Sequence, residues 1–157
     1  MKIACTLLLS LTLFISCSDS DENVPSETVA EVTARNEAEI LDYIEANDLI
    51  AEKTSTGLYF VNKTEGTGDL PAPNDDVTVM YKAYFLDGRV FDQSITEASF
   101  NAGNLIPGFT QGLTKMKEGG EATFIIPSRL GYGSYGAPPR IPGNTVIIFD
   151  VKLISID

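Results

Sequence analysis

The fold that this sequence predicts is α+β: a small antiparallel β-sheet with one short helix, preceded by an amphipathic stem helix. Three observations predict it. Val77, Val79, Tyr81, Ala83 and Phe85 alternate with Thr78, Met80, Lys82 and Tyr84, the two-residue period of a half-buried strand. Asp87-Gly88 follows, a strong hairpin signal, and residues 89–92 begin the return strand. The alternation returns at Ala122, Phe124 and Ile126, and again at Ile147, Phe149, Val151 and Leu153. Between these strands, residues 107–116 read as one short helical crossover, and residues 131–143 as a long loop rich in Gly, Pro and Tyr. Runs of strands with a segregated helix make an α+β domain.

The elements before the sheet follow a different logic. Lys2 and the apolar run 3–15 are too short for a stable span of the bilayer and read as a secretory leader. Phe14-Ile15-Ser16-Cys17 closes that run and resembles the bacterial lipobox, which implies cleavage after Ser16 and a lipid on Cys17. Residues 17–32 are polar and acidic, the composition of a flexible tether. From Thr33 to Leu49, Ile40, Leu41, Tyr43, Ile44 and Leu49 recur near helical spacing, with Asn36 and Glu39 spaced as a capping box. An isolated helix of that length is marginal in water, so it is expected to pack on the following domain. The organisation is thus leader 1–16, tether 17–32, stem helix and linker 33–56, and sheet domain 57–157.

Composition excludes several function classes. The net charge of −11 disfavours nucleic acid as a partner. With no histidine, the commonest general base and metal ligand are absent. The two cysteines are Cys5, in the leader, and Cys17, so the processed chain offers no thiol nucleophile. No P-loop is present, and Gly66-Thr67-Gly68 reads as a turn. If the domain is an enzyme, it is one that needs neither a nucleophile nor a metal, and no cofactor is expected.

The segment from about Gly57 to Asp157 resembles the FKBP family along almost its full length. The matching pieces, in order, are Val79-Met80-Tyr81; Asp87-Gly88-Arg89-Val90-Phe91-Asp92-Gln93-Ser94; Leu105-Ile106-Pro107-Gly108-Phe109; Leu130-Gly131-Tyr132-Gly133; and a closing strand centred on Phe149-Asp150-Val151. The resemblance implies a peptidyl-prolyl cis-trans isomerase assisting the folding of exported proteins, with proline-containing polypeptides as clients. It implies an antiparallel β-sheet wrapped around the one short helix, and that Phe109 floors a pocket walled by Tyr81, Phe91 and Phe149. Ile106 would offer a side chain and a backbone N–H, and Ile141 would cover the pocket from its loop. Tyr132 would give its hydroxyl to the substrate carbonyl, and Asp92 would orient Tyr132. Tyr132, Asp92 and Phe91 are therefore the expected catalytic set.

The sequence departs from the family pattern at Ala98, where a pocket aromatic is often found, and at Ala137 and Arg140 in the loop. These departures weaken a second implication, binding of macrolides of the FK506 and rapamycin type. An FKBP-fold chaperone or peptide-binding module with little catalysis is the alternative function, and a surface scaffold the third. The lipid on Cys17 implies attachment to the bacterial outer membrane. Ser18 after Cys17 favours the outer membrane, and the acidic run Asp19-Ser20-Asp21-Glu22 resembles a signal for export to the cell surface, with the periplasmic face as the alternative.

Overall fold

The computed structural model describes residues 27–157. Cys17, the leader, the acidic run and most of the tether lie outside the described residues.

The first element, α1 (Val29–Ala46), starts before the expected Thr33 and ends before Leu49. Its cap is Thr28, whose hydroxyl accepts from the Glu31 N–H while the Glu31 carboxylate accepts from the Thr28 N–H. The capping box is therefore Thr28–Glu31, and Val29 to Val32 belong to the helix rather than to the tether. Asn36, expected at the cap, is buried in the middle of the helix instead.

The sheet comprises β1 (Glu52–Lys53), β2 (Tyr59–Thr64), β3 (Asp76–Phe85), β4 (Val90–Gln93), β5 (Ala98–Asn101), β6 (Glu121–Ile126) and β7 (Ile147–Ile156). Every pairing is antiparallel, in the order β1-β2-β6-β7-β3-β4. The outer edge of β3 is shared: β4 pairs with Lys82 to Tyr84, and β5 with Asp76 to Val79. β1 and β5 were not foreseen from the sequence.

The two faces of the sheet bury different sets. On one, Phe60, Val79, Ala83, Phe124, Ile126, Phe149 and Val151 pack with α2 (Pro107–Leu113) to form the main core. On the other, Tyr59, Ile125, Val146 and Ile148 pack on Ile40 of α1. Both faces of β6 and β7 are thus covered, so Ile125 and Ile148 are fully buried although they fall out of phase with the alternating set. Val32, Asn36 and Ile40 recur every four residues and turn one stripe of α1 to the domain.

α2 lies unusually close to the sheet. Pro107 occupies its first turn, where a missing N–H is harmless. A Cβ at Gly112 would stand 2.5 Å from the Phe124 ring, and one at Gly108 would stand 2.5 Å from the Ile126 side chain. Only glycine permits this approach, because the Phe124 ring is fixed between Phe60 and Phe109. Gly112→Ala gains about 1 kcal/mol of helix propensity, but overpacking against a held ring costs about 1–3 kcal/mol. We expect a net loss, read as a lower urea midpoint at unchanged slope; a raised midpoint would contradict the close packing.

Candidate functional site

The close seating of α2 places Phe109 at the centre of an aromatic set. Its ring is edge-on to Phe149 at 5.0 Å, to Phe124 at 5.6 Å and to Tyr81 at 6.4 Å between centroids. Phe149 is presented by β7, paired with Ala83 and Phe124 on the neighbouring strands. Tyr81 is presented by β3 and pinned by Ser94, whose hydroxyl accepts the Tyr81 N–H at 2.8 Å and whose N–H donates to the Tyr81 carbonyl at 2.9 Å.

These rings floor and wall a cavity of about 330 Å³ lined by Tyr81, Asp92, Phe100, Asn104, Leu105, Ile106, Phe109, Tyr132 and Phe149. The structure thus brings together six of the residues singled out in the sequence: Tyr81, Asp92, Ile106, Phe109, Tyr132 and Phe149. Ile106 is the N-cap of α2, so its N–H precedes the helical ladder while its carbonyl accepts from Phe109 and Thr110. Phe91 and Ile141 stand outside this lining. Phe91 meets Phe149 edge-on at 6.0 Å and Phe85 at 4.9 Å. Ile141 is buried in the core beneath its loop, bonded through its backbone to Ala137.

A larger cavity, of about 540 Å³, is lined by Ile50, Glu52, Phe60 and Lys115 elsewhere on the domain. That one gathers no cluster of aromatic rings and hydroxyls, so chemistry rather than volume selects the site.

Two features were missed by sequence reasoning. Phe100 lines the cavity and meets Tyr81 at 6.1 Å between ring centroids. The signal was the spacing of Ala98 and Phe100, two apart and therefore on one face of an unrecognised strand. The second is the partner of Asp92. The expected pairing with Tyr132 is replaced by a hydrogen bond from the Tyr81 hydroxyl to the Asp92 carboxylate at 2.9 Å. Asp92 lies opposite Ala83, two residues along β3 from Tyr81, and that register brings the two side chains together.

The electrostatics follow from this pairing. Burial, the hydrogen bond to Asp92 and the Asp92 charge together push the Tyr81 phenol up to about 12. Burial first, and then the same carboxylate, raise Tyr132 as well. Both hydroxyls stay protonated, and hence donors, at neutral pH. Tyr132 lines the cavity and is 37% exposed.

Comparison with known proteins aligns with this geometry. Residues 68–154, more than half of the chain, match the family described as FKBP-type peptidyl-prolyl cis-trans isomerase. The chain is 43% identical over 106 residues to the probable FKBP-type isomerase FkpA of Neisseria meningitidis, covering 66% of this chain and 39% of that protein. It is 39% identical over 128 residues to FkpA of Escherichia coli, covering 78% and 47%. It therefore spans less than half the length of these two curated relatives. Among solved structures it resembles E. coli FkpA, with TM-score 0.71 and 36% identity over 82% of this chain and 63% of the other. It also resembles a peptidyl-prolyl isomerase from Pseudomonas syringae, with TM-score 0.71 and 30% identity over 83% and 99%.

The raised Tyr81 value gives a pH test. A folded value above the ordinary 10.0 contributes stability that is present below pH 10 and lost as pH rises through about 12. Tyr81, followed by NMR of ring-labelled tyrosine, should titrate near 12, and Asp92→Asn should lower that value while burial keeps it above the ordinary one. An unmoved titration in Asp92→Asn would show that the pair does not form.

Proposed function

The chain belongs to the FKBP-type peptidyl-prolyl cis-trans isomerase family, and from that premise we propose that it catalyses cis-trans isomerisation of X-Pro bonds in polypeptide clients. The observation that carries the proposal is the aromatic cavity of about 330 Å³ with two protonated phenols on its lining. Its volume suits a proline ring and its neighbours.

The reaction needs little else. The barrier of ~18–20 kcal/mol comes from amide resonance, and the two X-Pro isomers are nearly balanced. A catalyst has only to favour the twisted amide over the planar one. The twisted amide is less charge-separated and loses less on leaving water, so the Tyr81, Phe109 and Phe149 rings favour it. The Ile106 N–H and the Tyr132 hydroxyl supply donors for substrate carbonyls. No bond is made to the protein. Phe91 acts at one remove, by holding the Phe149 ring upright. Asp92 acts through Tyr81, whose hydroxyl it engages.

We further propose that the processed chain is a lipoprotein anchored through Cys17 to the outer membrane and facing the cell surface, where it assists exported proteins. Support comes from the lipobox-like Phe14-Ile15-Ser16-Cys17 and the acidic run after it. Macrolides of the FK506 and rapamycin type are candidate ligands of the same cavity, less favoured by Ala98, Ala137 and Arg140.

The deciding measurement is turnover on an unfolded chain whose refolding is limited by X-Pro isomerisation. Acceleration is expected, whereas binding of proline peptides without acceleration would make the protein a binding module. Tyr132→Phe should keep the fold and slow the rate several-fold, as befits one hydrogen bond worth about 1 kcal/mol. Phe149→Ala should abolish most activity and destabilise by about 3–5 kcal/mol, because the ring is buried.

A separate expectation concerns the anchor: Cys17→Ala should move the protein from membranes to the soluble fraction, since one acyl-modified residue is the proposed attachment. Retention after a high-salt wash would remove the lipoprotein proposal, and full resistance to protease on intact cells would remove the surface one.

A further inference from the structure

Asn36 is a polar residue, 1% exposed, on the stripe of α1 otherwise made by Val32 and Ile40. A buried carboxamide requires partners for its acceptor and its donors. Both lie on the loop that carries the expected active-site residues. The Asn36 Oδ1 accepts the Ser128 N–H at 2.9 Å, and Nδ2 donates to the Asn144 carbonyl at 3.1 Å. Nδ2 also points to Glu39 of the same helix at 3.3 Å.

The loop completes the circuit. The Gly133 N–H donates to the Ser128 carbonyl, and the Asn144 N–H donates to the Gly133 carbonyl, each at 2.8 Å. Asn36, Ser128, Gly133 and Asn144 thus form a closed ring of hydrogen bonds that joins both ends of the loop to one rigid helix. Tyr132 sits next to Gly133 inside that ring, and its carbonyl accepts from Gly136 at 3.0 Å. Ile141 lies within the same span, bonded to Ala137 in both directions at 2.8 and 3.0 Å. Asn144 holds φ 58, a left-handed conformation that asparagine tolerates better than most residues.

We propose that Asn36 is a positioning residue for the cavity, through which α1 fixes the loop that carries Tyr132 and Ile141. Beyond the 3-10 turn Ser128–Leu130 and the backbone pairing of Ala137 with Ile141, this long loop carries little regular structure; such a loop has many conformations, and pinning its two ends to one side chain removes most of them. Only a carboxamide fits this place: aspartate lacks the donor for the Asn144 carbonyl, and leucine lacks both groups. The consequence for catalysis rests on the proposed isomerase activity, whereas the consequence for the loop does not.

The test uses the full chain with Asn36→Leu, Asn36→Asp and, as a control, Ile40→Val, which loosens the same helix without touching the ring. Three quantities are read: amide hydrogen exchange at Ser128, Gly133 and Asn144; the NMR signals of the Tyr132 ring; and kcat and KM. Asn36→Leu should speed exchange at those amides, shift the Tyr132 signals and lower kcat about tenfold with little change in KM, the scale of a misplaced group. Asn36→Asp, which keeps the acceptor, should lie between. Ile40→Val should lower Tm and leave the Tyr132 signals and kcat alone.

A folded Asn36→Leu protein with unmoved Tyr132 signals overturns the proposal, as does equal behaviour of Asn36→Leu and Ile40→Val at the same loss of Tm. Should Asn36→Leu not fold, unmoved signals and kinetics in Asn36→Asp overturn it equally. A wild-type chain without isomerase activity would end the proposed function, while exchange and the Tyr132 signals would still decide the role of Asn36.

Discussion

Everything in the cavity depends on how closely α2 lies on the sheet. Gly108 and Gly112 let the helix sink until Phe109 meets Phe124, Phe149 and Tyr81 edge-on. Edge-to-face contacts favour the positive ring edge over the negative face, and each contributes about 0.5–1.5 kcal/mol beyond burial. Three such contacts on one ring fix its tilt as well as its place. With Phe109 set, the remaining walls are supplied by strands whose register is already determined by the core. A one-residue slip of β3 or β7 would turn Tyr81 or Phe149 to the opposite face. The aromatic part of the site is therefore a by-product of the same packing that stabilises the domain.

The long strands and the short helix were legible because their signals are local. The alternation from Val77 to Phe85 states a strand and its buried face without reference to anything distant. Pairing information is not local. Asn36 and Glu39 satisfy the spacing of a capping box as well as Thr28 and Glu31 do, yet Asn36 is used for partners 92 and 108 residues away. The same limit hid the partner of Asp92, which depends on a register shift between Ala83 and Tyr84. β5 was overlooked because it is only Ala98–Asn101, too short to show a period, and its value lies in placing Phe100.

The helix α1 belongs to the domain more fully than a stem would. Ile40 is fully buried against Tyr59, Ile125, Val146 and Ile148, an interaction of about 1.5–3 kcal/mol by transfer of that side chain alone. Glu37 adds a polar tie to β1 and β2: hydrogen bonds from Lys53 and then Tyr59 hold its carboxyl below the usual range. Covering this face explains the continuous apolar runs in β6 and β7, since a sheet open to solvent on one side would keep polar residues at Ile125 and Ile148. What reads in sequence as a stem helix packed on the domain is thus the second layer of the fold, and it touches the loop of the cavity through Asn36.

The pairing of Asp92 with Tyr81 also bears on the division of labour between the two phenols. The cavity lining contains one carboxylate and two hydroxyls. A carboxylate within reach of both would attract either, and a phenol committed to it is a poor donor to anything else. The β3–β4 register commits Tyr81, whose hydroxyl is 2.9 Å from Asp92. Burial first, and then the charge of Asp92 without that bond, raise the Tyr132 pKa and keep it protonated. On the proposed reaction, the uncommitted phenol is the one able to meet a substrate carbonyl, while the committed one is a fixed wall. The loop that carries Tyr132 must then supply the rigidity that Asp92 does not, and the hydrogen-bonded ring through Asn36 is the structure's means of supplying it.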